Sequence, residues 1–445
     1  MLFSFFSTFG RRQAGSSLVL LLALLALLAS CSKPQLAALF QKTTPHDDYA
    51  RALDRAGLQE AALGRQWQRA ADQALRDSLT VTLPVLETGY FRPEQPTAAS
   101  YRYAVRAGEL VHVRLTLAPG PVLAPRVFVD AFALPPGQRP ELLKWTATDT
   151  TAAGSYDYSY QATDDAQHLL RVQPELLAAG RYTLRLWRGP GLGLFPVKGR
   201  TDQAIGSFWG NERDGGARRH EGVDIFAPRG TPAVAAADGT ITRTGESKLG
   251  GRVVWLADAQ GQHLYYAHLD KQLVQPGQRV RAGDTLGLVG NTGNARTTAP
   301  HLHFGIYRAA RGAVDPWPFL HREDPLPTPL TGPDRRGEWV RSRPAQATRQ
   351  LPATLPLLVL GQRAGYLRVE LPNGQLRYVA ARTVAPAQPL RWVVLAAAHE
   401  IQTEPLTSAP ALAAWPSQTP ATVLGQSNGY ALLRNAAGQQ GWAKI

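Results

Sequence analysis

The residues between positions 220 and 303 include five of the chain's ten histidines, and their spacing could hold a metal ion. His220 and Asp224 are four residues apart with Gly222 midway, and His301 and His303 are two apart. Residues i, i+2 and i+4 of a strand point to one face, and the flanking residues are the branched and aromatic types that favour strands. Each pair would then aim its side chains the same way. Gly222 would remove a side chain that otherwise crowds the site.

This set of residues matches the needs of a catalytic zinc ion, which typically takes three protein ligands and leaves a fourth position to water. His220, Asp224 and one histidine of the HLH pair would supply the three ligands. The other histidine of that pair and His268, in the segment YYAHL, would act on the water or the reaction intermediate. HEGVD is not HExxH, which excludes the helical zinc-protease motif. His263 follows a Gly-Gln turn, and we interpret it as a solvated strand-end histidine.

The stretch from Phe195 to Leu320 resembles the lysostaphin-type (LytM-like, M23) zinc peptidases, which cut peptide cross-links in bacterial cell walls. The segments that carry the resemblance, in order, are FPVKGR, IGSFWG, RRHEGVDIFAPRGTPAVAAADG, YYAHL, PGQRVRAGDTLGLVGNTGNARTTAPHLHFGIY and VDPWPFL. The resemblance implies that His220, Asp224 and His303 bind Zn²⁺ and that His268 and His301 are catalytic. It also implies metal-assisted peptide hydrolysis, in which these two histidines hydrogen-bond the attacking water and the developing oxyanion. Which of the two acts as base or acid stays open.

Several neighbouring residues are candidates for shaping the groove. Asn291, Thr292 and Asn294 lie in the loop before HLH and could touch substrate, although ordinary turn chemistry explains such residues equally well. Arg218 and Arg219 precede the first ligand, where they would meet an acidic peptide or simply be solvated.

The first 31 residues predict export and lipid anchoring. Arg11 and Arg12 are followed by an apolar run from Leu18 to Leu28, which is shorter than the roughly 20 residues of a membrane span. The sequence Leu-Ala-Ser-Cys then resembles a bacterial lipobox that ends at Cys31, the only cysteine of the chain. We therefore expect residues 1–31 to be a lipoprotein signal peptide and lipobox, with the membrane contacted through lipidated Cys31. Ser32 favours the outer membrane, facing the periplasm.

The length and the charge of the chain limit the number of domains and the kinds of partner that we expect. A chain of 445 residues is too long for one core, and its formal net charge of +14 favours anionic partners such as wall polymer. No basic run with interleaved aromatic residues occurs, so nucleic acid is not an expected partner. The single cysteine excludes an intrachain disulfide.

Helical and then alternating patterns occupy the chain before the peptidase-like stretch. Residues 34–78 predict a helical hairpin: Thr44 and Pro45 suit N-cap and N1, and Gly57 ends the first helix. The second helix is expected from about Leu58 to Asp77. From residue 79 the period becomes two, as in ELVHVRLTL and RYTLRLW, and residues 79–194 predict a β-sandwich. His112 and His168 lie there and are expected to be structural.

The C-terminal third contains a repeat. After a Pro-rich linker at 321–336, VLGQRAGYLRV at 359–369 matches VLGQSNGYALL at 423–433. Residues 337–388 and 389–445 resemble a tandem pair of SH3-like barrels, modules that often bind cell-wall peptides. Their candidate groove residues, for which barrel core is the alternative, are Tyr366, Tyr378, Tyr430 and Trp442.

The sequence therefore predicts a mainly β, multidomain chain with a short N-terminal helical hairpin, a β-sandwich, an antiparallel LytM-like peptidase domain at 195–320 and two small SH3-like barrels. The favoured function is a lipid-anchored zinc endopeptidase acting on peptidoglycan. One alternative is a non-catalytic LytM-like protein that activates another cell-wall hydrolase, which the intact ligand set argues against. Another is a zinc peptidase acting on a protein or on another glycyl bond.

Overall fold

The computed structural model describes residues 43–118, 125–148, 154–321 and 332–445. The chain divides into two units, Met1–Arg51 and Ala52–Ile445. The predicted signal peptide, Cys31 and most of the Pro-rich linker lie outside the described residues. Within the described ranges, none of the helices has the length and apolar character needed to cross a membrane.

Helix α1 (Pro45–Arg55) begins at the predicted position. The Thr44 hydroxyl accepts a hydrogen bond from the Asp47 amide at 3.0 Å, and the Asp47 carboxylate accepts one from the Thr44 amide at 3.1 Å. This reciprocal pair satisfies two amides at the open end of the helix. After the helix, Gly57 adopts a left-handed conformation with φ 67°.

Helix α2 (Ala62–Arg76) begins four residues later than predicted, because Leu58–Glu60 forms a separate short 3₁₀ turn and Ala61 is extended. Its buried face packs on the sandwich through Trp67, whose indole donates to the Pro174 carbonyl at 2.7 Å. Gln173 donates in return to the Trp67 carbonyl at 2.8 Å. Helix α2 is thereby fixed to one face of the sandwich.

The described residues of the sandwich form nine strands in two sheets. Its strands are β1 (Leu79–Thr80), β2 (Val85–Phe91), β3 (Ala99–Val105), β4 (Leu110–Leu117), β5 (Val127–Ala133), β6 (Glu141–Ala147), β7 (Ser155–Gln161), β8 (Ala166–Pro174) and β9 (Gly180–Gly189). One sheet has the order β1-β3-β8-β5-β6, and the other contains β2-β9-β4-β7. The alternation in β4 buries Val111, Val113, Leu115 and Leu117, as predicted, in a core that both sheets share.

The peptidase-like region is built around a ten-stranded sheet. Its strands, with one separate two-stranded hairpin, are β10 (Ile205–Ser207), β11 (Glu212–Arg213), β12 (Arg218–Arg219), β13 (Val223–Phe226), β14 (Pro232–Val234), β15 (Gly239–Ser247), β16 (Gly251–Asp258), β17 (Gln262–Gln272), β18 (Arg279–Val280), β19 (Thr285–Val289), β20 (His301–Arg308) and β21 (Gly312–Val314). The main order is β10-β13-β20-β17-β16-β15-β18, and β11 pairs only with β12. A short helix α3 (Trp317–Leu320) follows.

The C-terminal third holds two related strand groups. The first consists of β22 (Trp339–Ser342), β23 (Leu357–Arg363), β24 (Tyr366–Glu370), β25 (Leu376–Ala380) and β26 (Val384–Pro386). The second consists of β27 (Arg391–Val394), β28 (His399–Gln402), β29 (Ala411–Trp415), β30 (Pro420–Ser427), β31 (Tyr430–Asn435) and β32 (Gln440–Ala443). Strands β23 to β25 correspond to β30 to β32.

The sequence repeat is also a structural repeat. Strand β23 has a bulge between Val359 and Gly361 where it pairs with β24, and β30 has the same bulge between Val423 and Gly425 where it pairs with β31. The turns agree as well: Gly374 and Gly438 have φ values of 79° and 81°. Closure of either group into an SH3-like barrel stays a prediction.

The first repeat is not a free-standing module. Strand β2 of the sandwich pairs with β23, so that one nine-stranded sheet runs from the sandwich into the first repeat. The sequence analysis assigned β2 and β23 to separate domains. The two strands lie more than 250 residues apart, and local periodicity cannot predict a pairing over that distance.

The candidate groove residues of the repeats are largely used inside the protein. The Tyr378 hydroxyl donates to the carboxylate of Glu87, in the sandwich. Tyr430 and Trp442 are buried, and Trp442 meets Trp339 edge to face at 6.1 Å between ring centroids. Only Tyr366 of the four is well exposed. The burial of Tyr430 and Trp442 therefore agrees with the alternative interpretation, in which these residues belong to the core and do not line a binding groove.

Candidate active site

Three neighbouring strands bring the polar residues together. In the β13–β20 pair Asp224 lies directly opposite His303, and in the β17–β20 pair His303 lies opposite Ala267, next to His268. The intervening residues of these strands point into the core, where Leu302 is fully buried. The alternation predicted for HLH therefore places His301 and His303 on one face.

His220 reaches the site in a different way from the one that the spacing predicted. It lies before β13, which begins only at Val223, so His220 and Asp224 do not share one strand. Backbone hydrogen bonds hold it: its amide donates to the Asn211 carbonyl at 2.8 Å, and its carbonyl accepts from the Gly210 amide at 2.9 Å.

Gly222 does have the predicted role of leaving room. A β-carbon at this position would lie 2.7 Å from Cε1 of His303 and 2.6 Å from the Phe304 carbonyl oxygen. Both distances are below any normal contact, so a side chain here would displace the His303 ring or the strand behind it.

The three expected ligand residues converge on one point. His220 Nε2 lies 3.0 Å from Asp224 Oδ1 and 2.9 Å from His303 Nδ1, and His303 Nδ1 lies 3.0 Å from Asp224 Oδ1. Tetrahedral ligands about 2.0–2.1 Å from a single zinc ion would be ~3.3 Å apart, close to these distances. Two imidazole nitrogens and one carboxylate oxygen are also a common zinc ligand set. The group therefore fits a metal ion.

The outer contacts of two of these residues keep the converging atoms available. His220 Nδ1 lies 2.9 Å from the Phe208 carbonyl oxygen, which can only accept, so Nδ1 carries the proton and Nε2 keeps its lone pair. Asp224 Oδ2 accepts a hydrogen bond from Arg213 at 2.9 Å, which leaves Oδ1 facing the two histidines.

The two remaining histidines stand beside this group with the same tautomer. His268 Nδ1 donates to the Thr292 carbonyl at 2.9 Å, and His301 Nδ1 donates to the Ala299 carbonyl at 2.8 Å. Their ring centroids are 5.0 Å apart, and His301 Nε2 lies 3.9 Å from Asp224 Oδ1. In the neutral form of each ring, Nε2 is therefore the nitrogen that can accept a proton. His268 also has φ 61°, and its amide donates to the Gly250 carbonyl at 2.7 Å.

Burial and charge set the protonation states at neutral pH. Burial raises the pKa of Asp224, but its contacts with the His220 and His303 rings outweigh that effect and hold the pKa far below its usual range. Burial, with the neighbouring charges of His303 and His301, lowers the pKa of His268 to about 4. Burial also lowers the pKa of His303, although Asp224 opposes the shift. The site therefore combines an ionised carboxylate with neutral imidazoles at His268 and His303.

The loop before β20 is only partly a groove wall. The Asn291 amide group donates to the carbonyls of Arg296 and Thr298, and the Thr292 hydroxyl donates to the Leu269 carbonyl at 2.9 Å. These contacts hold the loop together, which is the turn chemistry given as the alternative role of Asn291 and Thr292. Asn294 lines the groove.

An open groove of about 760 Å³ surrounds the site. Besides the five site residues, its walls include Arg213, Arg218, Arg219, Glu221, Phe226, Leu249, Tyr265, Asn294 and Tyr307. His263, in contrast, is exposed on β17, in keeping with its interpretation as a solvated residue. The sequence did not predict Arg213 as a site residue, because nothing in its spacing from Asp224 indicates a contact.

Comparison with known proteins agrees with this geometry. Residues 218–316 match the model of peptidase family M23. The L-Ala–D-Glu endopeptidase of Bacillus subtilis is 36% identical over 137 residues, which are 28% of this chain and 42% of that protein. The peptidoglycan DD-endopeptidase ShyC of Vibrio cholerae is 39% identical over 102 residues, 22% of this chain and 23% of that protein. The chain thus spans less than half of these curated relatives.

A solved structure is also similar to part of this chain. The catalytic domain of the antimicrobial peptidase lysostaphin from Staphylococcus simulans is 38% identical and covers 26% of this chain and 90% of that domain, with a TM-score of 0.24. The family match and the two curated relatives identify the stretch around the site as an M23 (LytM-like) peptidase domain.

Proposed function

We propose that this protein is a zinc-dependent endopeptidase that hydrolyses peptide cross-links of bacterial peptidoglycan. The observation that carries the proposal is the convergence of His220 Nε2, Asp224 Oδ1 and His303 Nδ1 to within 3.0 Å of one another, beside the paired His268 and His301. A site that only bound a partner would have no need of two further histidines with their basic nitrogens free.

His220, Asp224 and His303 would hold the ion, and Zn²⁺ bound there would supply a Lewis acid that polarises a carbonyl and acidifies water. His268 and His301 are fixed through Nδ1, so their Nε2 atoms would accept a proton from water or, once protonated, donate to the oxyanion or the leaving amine. The open groove admits an extended peptide that runs past these atoms.

The substrate is inferred from the relatives and from charge. The two relatives described above are named for an L-Ala–D-Glu bond and for peptidoglycan DD bonds, so the family alone does not select one bond. The formal net charge of +14 suits an anionic wall polymer. We further propose that the chain is anchored through lipidated Cys31 in the outer membrane, facing the periplasm, and that the C-terminal repeats contact wall peptides.

Purified peptidoglycan digested with the zinc-loaded chain from Ser32 onward, followed by mass spectrometry of the released fragments, tests the enzyme. His303→Ala and chelator-treated protein should release nothing. His263→Ala is the matched control, because it removes an exposed histidine of β17 outside the groove, and it should behave as the parent does.

The same digest separates the alternatives. A parent chain that binds zinc, releases nothing and stimulates a second wall hydrolase would be an activator. Cleavage of oligoglycine or of a protein, with intact peptidoglycan untouched, would instead support the peptidase with a different substrate.

A further inference from the structure

Arg213 lies outside the set of residues that the sequence singled out, yet it contacts the proposed metal site directly. Its Nη2 donates to Asp224 Oδ2 at 2.9 Å and to the Ser207 hydroxyl at 2.5 Å. We propose that Arg213 is a positioning residue for the metal centre. It holds Asp224 so that only Oδ1 faces the two ligand histidines.

The hairpin β11–β12 is what brings Arg213 to this place. Arg213 pairs with Arg218 across the hairpin, and the turn between them uses left-handed backbone at Asp214, Gly215 and Gly216. The backbone bonds that join residues 210 and 211 to His220 continue from the same hairpin. One local element therefore sets both the ligand His220 and the partner of the ligand Asp224.

The Ser207 hydroxyl accepts a hydrogen bond from the Arg213 guanidinium and so connects it to strand β10 of the main sheet. Ser207 lies directly opposite Asp224 in the β10–β13 pair, and its hydroxyl is 3.4 Å from His220 Nδ1. The Arg213 side chain is 29% exposed and that of Asp224 is 12% exposed. The contact is thus partly shielded from water, which strengthens a charged hydrogen bond.

Two effects of Arg213 on metal binding oppose each other. Its positive charge repels a cation, whereas its hydrogen bond stops the carboxylate from rotating and from offering both oxygens. We expect the second effect to win, because the charge is already balanced by Asp224 at contact distance and outer partners of metal ligands typically contribute 10- to 100-fold in affinity. The guanidinium also satisfies Oδ2, which would otherwise lack a partner.

This inference rests on the metal site of the proposed function, and it is tested by affinity rather than by hydrolysis. Zn²⁺ affinity is measured by competition with a chromogenic chelator for the parent, Arg213→Gln, Arg213→Lys and Arg219→Gln. Arg219 is the matched control, because it lies in the same hairpin and lines the same groove but makes no hydrogen bond or ion pair with Asp224. We expect Arg213→Gln to bind Zn²⁺ about 10- to 100-fold more weakly, and Arg219→Gln to match the parent.

Each other outcome has a distinct meaning. A parent without Zn²⁺ affinity would overturn the proposed function itself. A parent that binds, with Arg213→Gln equal or tighter, would overturn only the positioning role. Thermal unfolding of the chelator-treated Arg213→Gln variant shows whether it folds. If it does not fold, the Zn²⁺ affinity of Arg213→Lys tests the positioning role instead. Lys keeps the charge but loses the planar guanidinium, so we expect weaker binding than in the parent. Equal binding by a folded Lys variant would overturn the inference.

Discussion

Three histidines of the site, His220, His268 and His301, each donate Nδ1–H to a backbone carbonyl, and this fixes what each ring can do. A carbonyl oxygen cannot donate, so the proton is held on Nδ1 and Nε2 faces the groove as a base or ligand. His303 is the exception, because it presents Nδ1 to the other ligand atoms. The chemical role of each histidine in this site therefore depends on the orientation of its ring as well as on its residue type.

Two substitutions should separate the proposed metal ligands from the proposed proton carriers. His220→Ala removes a ligand atom, so we expect loss of both bound zinc and activity. His301→Ala should keep near-normal zinc content and lose about 10²–10⁴-fold in kcat/KM, the usual contribution of a general acid or base. Zinc content and the rate of peptide hydrolysis, measured on the same samples, distinguish the two kinds of residue. Zinc loss in His301→Ala would instead make it a ligand.

His168 should make the protein acid-sensitive, independently of the active site. Burial in the sandwich lowers its pKa from 6.5 to about 4. Between these values the unfolded chain binds a proton that the folded chain rejects, so stability should fall as pH drops from 6.5 to 4, by at most ~1.4 kcal/mol per pH unit.

The measurement is urea unfolding of the parent and His168→Gln at several pH values across this window. The variant should show a shallower decline than the parent, and exposed His263→Gln should not. Parallel declines in the parent and His168→Gln would show that other groups cause the acid sensitivity.

At the scale of elements, the site depends on how closely strands β13, β20 and β17 approach one another. The Asp224–His303 register and the Ala267–His303 register set the order of side chains across the sheet. The loop before β20 then supports His268, since the Thr292 carbonyl accepts from its ring and the Thr292 hydroxyl bonds the backbone of β17. Thr292 thus acts on the site through the loop.

Gly222→Ala should damage the site without adding any polar group. The new methyl would lie 2.7 Å from the His303 ring and against the backbone of β20, so the ring must move. We expect at least tenfold weaker zinc binding, comparable to the loss of an outer-sphere contact.

Gly245→Ala is the matched control for Gly222→Ala. It lies in strand β15 of the same sheet, and a β-carbon there would have no heavy atom within 4 Å apart from its chain neighbours. Competition titration of both variants checks the prediction, and unchanged affinity in Gly222→Ala would show that the strands can adjust.

At the scale of the whole molecule, the sandwich and the first repeat share a sheet and a buried charge cluster. Arg368 Nε donates to Glu87 at 2.6 Å, and Arg368 Nη2 donates to the Tyr182 hydroxyl at 2.8 Å. Tyr101 donates to the same carboxylate at 2.7 Å. The first repeat is therefore held to the sandwich by a network that is closed to water.

Arg368→Met should destabilise the protein strongly, because it leaves the fully buried Glu87 carboxylate without its cation. Breaking a buried pair in this way typically costs about 3–5 kcal/mol. Arg377→Met, on the neighbouring strand β25 with one exposed contact to Gln350, should cost much less. Urea unfolding of both variants makes the comparison, and similar losses would contradict a special role for the buried pair.

The sequence was sufficient for the parts of this protein that depend on short-range pattern. It predicted the mainly β composition, the alternation in β4, the cap at Thr44, the 64-residue repeat and the five polar residues that meet in the site. Strand alternation and cap chemistry act over a few residues, and the family resemblance assigned His303 and His301 their separate expected roles, which spacing alone had left open.

Tertiary structure decided the contacts between residues that are distant in sequence or joined through irregular backbone. It placed His220 outside the strand of Asp224, brought Arg213 to Asp224, and used the side chains of Asn291 and Thr292 to hold the loop before β20. It also merged β2 with β23 and buried Arg368 against Glu87. These features depend on strand register, turn geometry and the pairing of charges excluded from water, which arise only when separate elements pack together.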